Sequence, residues 1–250
     1  MEQEKKDIII LCDESTLDKK ISINIIKSFI LNKALGDDKC IKSYEFKSSS
    51  FYYDLFDSNK TKVDFDNTIV YLIGFIPKNI ESLLSLKNRY HKVIWITHTD
   101  NFVLKYLGDQ ESHIVTRDTI YGIRSTEFST CNLVWQYLFR YKYMPKFVFM
   151  IGRSELLDEN KVIGKDYDIN QCVNELNVLF FKYGIQSFSN EHIEKIISEV
   201  IIRDNYDYDS MVVETIINNG KIVLEFLSKK EKKSNDGVFG KTLGLFSKKG

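Results

Sequence analysis

Short apolar runs at residues 7–12, 68–73 and 92–96, with a further strand-like segment at 41–46, constrain the fold more than any other feature of this chain. Runs of this length bounded by polar residues predict buried strands rather than helices. Between the first two, residues 18–35 carry Ile21, Ile25, Ile26, Phe29 and Ile30 close to helical spacing, and Gly36 supplies a stop. Residues 78–86 predict another helix. Strands alternating with helices, without tight hairpins, predict an α/β fold: a mainly parallel sheet with helices on both faces. Ligands of such sheets sit beyond the carboxyl ends of the strands. Cys12-Asp13, Gly74 and Thr97-His98 would gather there.

The second half reads as more helical, with apolar stripes over 128–141, 168–183 and 190–202. Residues 211–217 and 221–227 then alternate across Asn218-Asn219-Gly220, and Asn-Gly predicts a hairpin turn. The expected organisation is an α/β domain with a helical extension over 1–204, then a small C-terminal α+β subdomain over 205–250 comprising the hairpin and a Gly/Lys-rich tail.

Composition narrows the class. At 250 residues, 43% hydrophobic and 28% charged, the chain is ordinary for a packed protein. Lys+Arg and Asp+Glu balance at 35 each, so no global field draws in nucleic acid. Lys229, Lys230, Lys232, Lys233, Lys241, Lys248 and Lys249 crowd one end, as a solubilising tail or as a phosphate contact. Cys12, Cys40, Cys131 and Cys172 form no C-x-x-C pair, which argues against structural zinc and for free thiols in a reducing compartment. No run approaches the ~20 apolar residues of a membrane span, and residues 1–6 are charged rather than leader-like. The expectation is a cytoplasmic protein with no membrane partner, in a bacterium or a virus-infected host cell. Abundant Ile, Lys, Asn and Tyr with a single alanine, Ala34, suggest an AT-rich genome.

The strand at 92–96 runs into Thr97-His98-Thr99. Before it stand Asp13-Glu14-Ser15-Thr16-Leu17-Asp18-Lys19, followed by Ile21-Ser22, and Val70-Tyr71-Leu72-Ile73-Gly74-Phe75-Ile76-Pro77. After it come Gly122-Ile123-Arg124-Ser125, Thr130-Cys131-Asn132-Leu133-Val134-Trp135, Met150-Ile151-Gly152-Arg153-Ser154-Glu155 and Gly237-Val238-Phe239-Gly240-Lys241-Thr242-Leu243-Gly244. In order and spacing these segments resemble the DHH phosphoesterases, RecJ-like and oligoribonuclease-like, over nearly the whole chain. The resemblance implies that Asp13 replaces the family's first His, Thr16 its first Asp and Lys19 its Gly, while Asp18 is retained. Gly74 stands for the metal-bridging Asp, and Thr97 and Thr99 flank His98 where Asp-His-His is usual. Glu155 takes a late acidic position, and Phe239 replaces the His of the eroded glycine-rich C-terminal motif.

Family members hydrolyse phosphodiester or phosphoanhydride bonds with two divalent metals, usually manganese. Two cations ~3.5–4 Å apart repel, so a bridging carboxylate is close to a requirement, and Gly74 has none. A residual site for one Mn or Mg ion would use Asp18, His98 and Glu155, assisted by Asp13 or Asp100. The alternative is that Asp18 merely begins a helix, where Asp is favoured, and that no metal binds. Arg153, Gly240 and Lys241 are the candidate substrate contacts. The expected function is a catalytically degenerate homologue that binds a nucleotide, a nucleic-acid end or a protein. The alternatives are a single-metal phosphodiesterase on short oligonucleotides or small nucleotides, and a structural protein of a virion assembly.

Outside this frame, Tyr137, Tyr141 and Tyr143 alternate with Arg140 and Lys142. They would either form a partly buried helical face or stack on bases. His91 and His192 read as surface residues, and His113 has no partner in view. Ser125, Ser129 and Ser154 lack a nucleophile-elbow context. Cys12 reads as a small buried thiol.

Overall fold

The computed structural model describes residues 6–12, 15–35, 41–57, 64–76, 80–98, 120–159, 169–203 and 205–232. The chain forms two compact units, Met1–Met144 and Pro145–Gly250.

The first unit is an α/β sheet of five parallel strands in the order β2-β1-β3-β4-β5. These are β1 (Lys6–Cys12), β2 (Ile41–Ser48), β3 (Thr68–Ile73), β4 (Lys92–His98) and β5 (Arg124–Ser125). The helices are α1 (Leu17–Leu35), α2 (Ile80–Arg89) and α3 (Thr130–Leu138). Alternation along the central strands divides two apolar layers. Ile9, Leu11, Val70, Leu72, Val93 and Trp95 pack with Tyr52 and Leu55 of a 3-10 turn and with Leu83 and Leu86 of α2. Ile8, Ile10, Ile73, Ile94 and Ile96 point the other way and are also buried. On that side α1 packs on α3, and α3 on β4. Both faces are covered, which is why these strands read as apolar runs rather than as alternating ones.

Arg124 is buried at the sheet's β5 edge, where its guanidinium donates to the carbonyls of Trp95 and Ile120. Burial pulls its pKa down to about 10, so it stays charged at neutral pH. Its role is to gather carbonyls.

The second unit holds α4 (Lys146–Glu155), α5 (Ile169–Ile185), α6 (Asn190–Ile197), a π-helical turn (Ser198–Ile202) and α7 (Tyr206–Lys232). Here the structure corrects the sequence reading: the expected hairpin around Asn218-Asn219-Gly220 is the middle of α7. Val212, Val213, Ile216, Gly220 and Leu224 are buried at helical spacing, which outweighs the local turn signal. Within the second unit α7 packs along α5. Gly220 serves that packing. A Cβ on Gly220 would lie 1.7 Å from the Phe180 carbonyl oxygen, and one on Gly184 would lie 1.9 Å from the Ile216 oxygen. The two backbones touch where two glycines cross.

Gly220→Ala should therefore destabilise the protein by about 1–3 kcal/mol, as overpacking does, although alanine is the better helix former by ~1 kcal/mol. Asn219→Ala should be neutral or stabilising. Urea midpoints of the two variants check the pair.

Asp209, buried in α7, accepts from the Lys146 and Phe147 amides at 2.7 and 2.8 Å and so caps α4, whose own N-cap residue is Pro145. Burial raises its pKa, and the Phe147 and Lys146 amide bonds, with the Lys146 charge, reverse this only in part. A raised folded-state pKa gives stability that is complete below the unfolded value and lost as pH rises through the folded one. Denaturant titrations from pH 3 upward should show wild type losing stability relative to Asp209→Asn across the window just above the ordinary Asp range.

Candidate functional site at the strand ends

The carboxyl ends of β1, β3, β4 and β5 face the first turns of α1 and α3. The order 2-1-3-4-5 reverses direction between β1 and β3, the switch point where open parallel sheets bind ligands.

Asp18 lies in the first turn of α1 and is 3% exposed. Its Oδ1 accepts from the Cys131 amide at 2.8 Å and its Oδ2 from the Thr130 amide at 3.2 Å. Ser129, the N-cap of α3, makes no side-chain cap of its own. Asp18 therefore satisfies the orphan amides of another helix from more than a hundred residues away, with the favourable sign for that helix's dipole. Thr16 accepts from the Lys19 amide at 3.4 Å and begins α1.

His98 ends β4, half-buried. Its ring Nδ1 is 3.1 Å from the Phe128 carbonyl oxygen. A carbonyl only accepts, so Nδ1 carries the proton, and in the neutral ring Nε2 holds the lone pair. The His98 amide donates to Thr130 Oγ1 at 3.4 Å. Asp18 and His98 thus meet at one residue, Thr130.

Gly74 follows β3 at φ 70°, in the left-handed region. A Cβ there would stand 3.2 Å from Lys19 Cγ and 3.4 Å from Thr130 Cγ2. The stem of Lys19 covers the spot from which a carboxylate at position 74 would project, and its ammonium lies 3.2 Å from Ser15 Oγ.

Glu155 and Arg153 are exposed in the last turn of α4, in the second unit. Asp13, Asp100, Gly240 and Lys241 lie outside the described residues, as does His113. Cys12 is buried, as expected of a small thiol. Cys131 is fully buried, and burial first, then the neighbouring Asp18 charge, push its thiol well above the usual range, so it is no nucleophile. Ser125 accepts from the Glu127 amide at 3.0 Å, and Ser154 donates to the Ile151 carbonyl at 2.8 Å. His91 is exposed, and the His192 main-chain amide donates to Oγ of Ser189, the N-cap of α6, at 3.3 Å. Sequence reasoning missed Thr130. The Ser129-Thr130 pair ahead of an apolar helical run is a helix-start signal, and it would have drawn attention to that turn.

Among the described residues the donor set at the strand ends does not fit a pair of divalent cations. There is no bridging anion at Gly74, both oxygens of Asp18 hold amides, and Lys19 adds a positive charge. Among the described residues no three His, Cys, Asp or Glu side chains are grouped to hold a metal. Comparisons of the chain with protein-family models, curated proteins and solved structures give no match.

Asp18→Ala leaves two buried amides without an acceptor, a loss expected to cost about 1–3 kcal/mol in chemical denaturation. Asp18→Asn, which keeps one acceptor oxygen, should fall between wild type and Asp18→Ala, with EDTA making no difference to the order. Unchanged stability in Asp18→Ala would dismiss the capping role.

Proposed function

We propose that this chain is a catalytically degenerate relative of the DHH phosphoesterases, whose strand-end site binds a nucleotide or a nucleic-acid end without two-metal hydrolysis. The observation that carries this reading is the double commitment of Asp18: the ligand position retained by the resemblance is spent on holding α3. The pairing of Gly74 with Lys19 supports it too, since the Lys19 stem takes the space into which a bridging carboxylate at 74 would project. Lys19 and Ser15 offer a charge and a hydroxyl to a phosphate at the β1/β3 crevice. One observation favours the single-ion phosphodiesterase as a second reading. The His98 tautomer, set by Phe128, leaves Nε2 as the ring's acceptor, the arrangement that orients a ligating histidine.

Calorimetric titration of wild type and His98→Ala with Mn(II) separates the two, together with turnover of bis-p-nitrophenyl phosphate and of dinucleotides. The expected outcome is no manganese-dependent turnover, with mononucleotide binding weakened roughly 5- to 10-fold in Lys19→Met, as for the loss of one charge-assisted contact. One ion per chain with turnover lost in His98→Ala would establish the second reading, and two tightly held ions would overturn both.

A further inference from the structure

The segment after α3 is held firmly by the fold yet turns its largest side chains to water. Helical periodicity predicted a helix to residue 141, but α3 stops at Leu138 and Phe139 leaves the helical region at φ −117°, ψ 45°. Phe139 folds back on Trp135, with ring centroids 4.5 Å apart, and meets Phe29 edge-on at 5.6 Å. The Lys142 amide donates to the Phe139 carbonyl at 2.8 Å, the Trp135 indole donates to the Lys142 carbonyl at 3.5 Å, and the Asn132 amide contacts Met144 Sδ at 3.2 Å. On this anchored turn Tyr141 is 95% exposed and Tyr143 88% exposed. Tyr137 is half-buried, and Arg140 and Lys142 are exposed. The partly buried helical face is therefore not what Tyr141 and Tyr143 form.

Two nearly bare aromatic rings alternate with two cations on one turn. Tyrosine rings of this exposure contribute little to the core, and a purely solvating turn has no use for them. We infer that the turn Arg140-Tyr141-Lys142-Tyr143 is a binding surface for single-stranded nucleic acid, Tyr141 and Tyr143 stacking on bases while Arg140 and Lys142 meet phosphates. Rings have π-faces that any base can use, and the alternating cations track the backbone, so the surface is tolerant of sequence. A protein partner would have less use for Lys142 set between the rings, since lysine is depleted in the cores of such interfaces. The inference is independent of the strand-end reading, because the turn follows α3 and the strand-end residues meet its opposite end.

The probe is a fluorescently labelled twelve-residue oligothymidylate, followed by anisotropy against the full chain at several salt concentrations. Tyr141→Ala with Tyr143→Ala should weaken binding at least 10-fold, and the corresponding pair of Phe substitutions should leave it within about 2-fold, because stacking needs the ring and not the hydroxyl. Arg140→Gln with Lys142→Gln should flatten the dependence of log affinity on log salt by about 1.4, ~0.7 for each phosphate contact to a single strand. The double Ala variant should bind mononucleotide at the strand ends as wild type does, which keeps failure here distinct from failure of the strand-end reading. Far-ultraviolet circular dichroism confirms that the variants fold, as substitution of exposed rings predicts. No binding by wild type at low salt, or equal binding by wild type and the double Ala variant, would overturn the assignment. So would a dimer seen by light scattering that the same Ala pair dissolves in the absence of oligonucleotide, since it would give the rings to a second copy of the chain.

Discussion

The N-terminus of α3 starts inside the protein, against the ends of a parallel sheet, where water cannot satisfy its leading amides. A buried helix start of this kind needs an acceptor, and Ser129 does not provide one with its side chain. Asp18 does, with one oxygen for each of two amides. Because Asp18 sits in the first turn of α1, the same contact fixes two helices against each other, and Thr130 passes the constraint to β4 through the His98 amide. The second unit solves the same problem in the same way: α4 begins at Pro145, and Asp209 of α7 supplies the acceptor. In each unit a carboxylate distant in sequence caps a helix that cannot cap itself.

This device bears directly on chemistry. A carboxylate whose oxygens each accept a short amide bond, and whose charge is balanced by a helix dipole, is a poorer partner for a cation than one facing solvent. The neighbouring residues act in the same direction. Glycine at position 74 adopts a left-handed conformation without strain, and the volume its missing side chain leaves is lined by the Lys19 stem and the Thr130 methyl. An acid at 74 would strain the backbone at φ 70° and press on both neighbours, so positions 74 and 19 are physically coupled.

The sheet was largely legible in the sequence, because strands covered on both faces announce themselves as apolar runs; β3 was placed to the residue and β1 and β4 to within two. The start of α1 was legible from Asp18 at its N-terminus, but the true use of that side chain was not. A cap reaching across more than a hundred residues leaves no local pattern. The hairpin was misread for the opposite reason: Asn219-Gly220 carries a strong local signal, and only the burial of Ile216 and Leu224 on one helical face with Gly220 decides against it. The end of α3 was misread because apolar periodicity continues through Tyr141, whereas the chain turns where Phe139 gains a stacking partner in Trp135.

That turn and the strand-end residues are joined by α3, a helix of 9 residues and therefore about 13 Å long. Each end is secured by a side chain bonded to main chain: Asp18 to the first amides, and Trp135 to the Lys142 carbonyl beyond the last turn. A helix pinned in this way is a strut. The turn that carries Tyr141 and Tyr143 and the His98 main chain are thus tied to opposite ends of one helix. A ligand engaging both ends would meet a backbone already in place and order only itself and the exposed side chains it touches, which lowers the entropy that a few weak stacking and phosphate contacts have to offset.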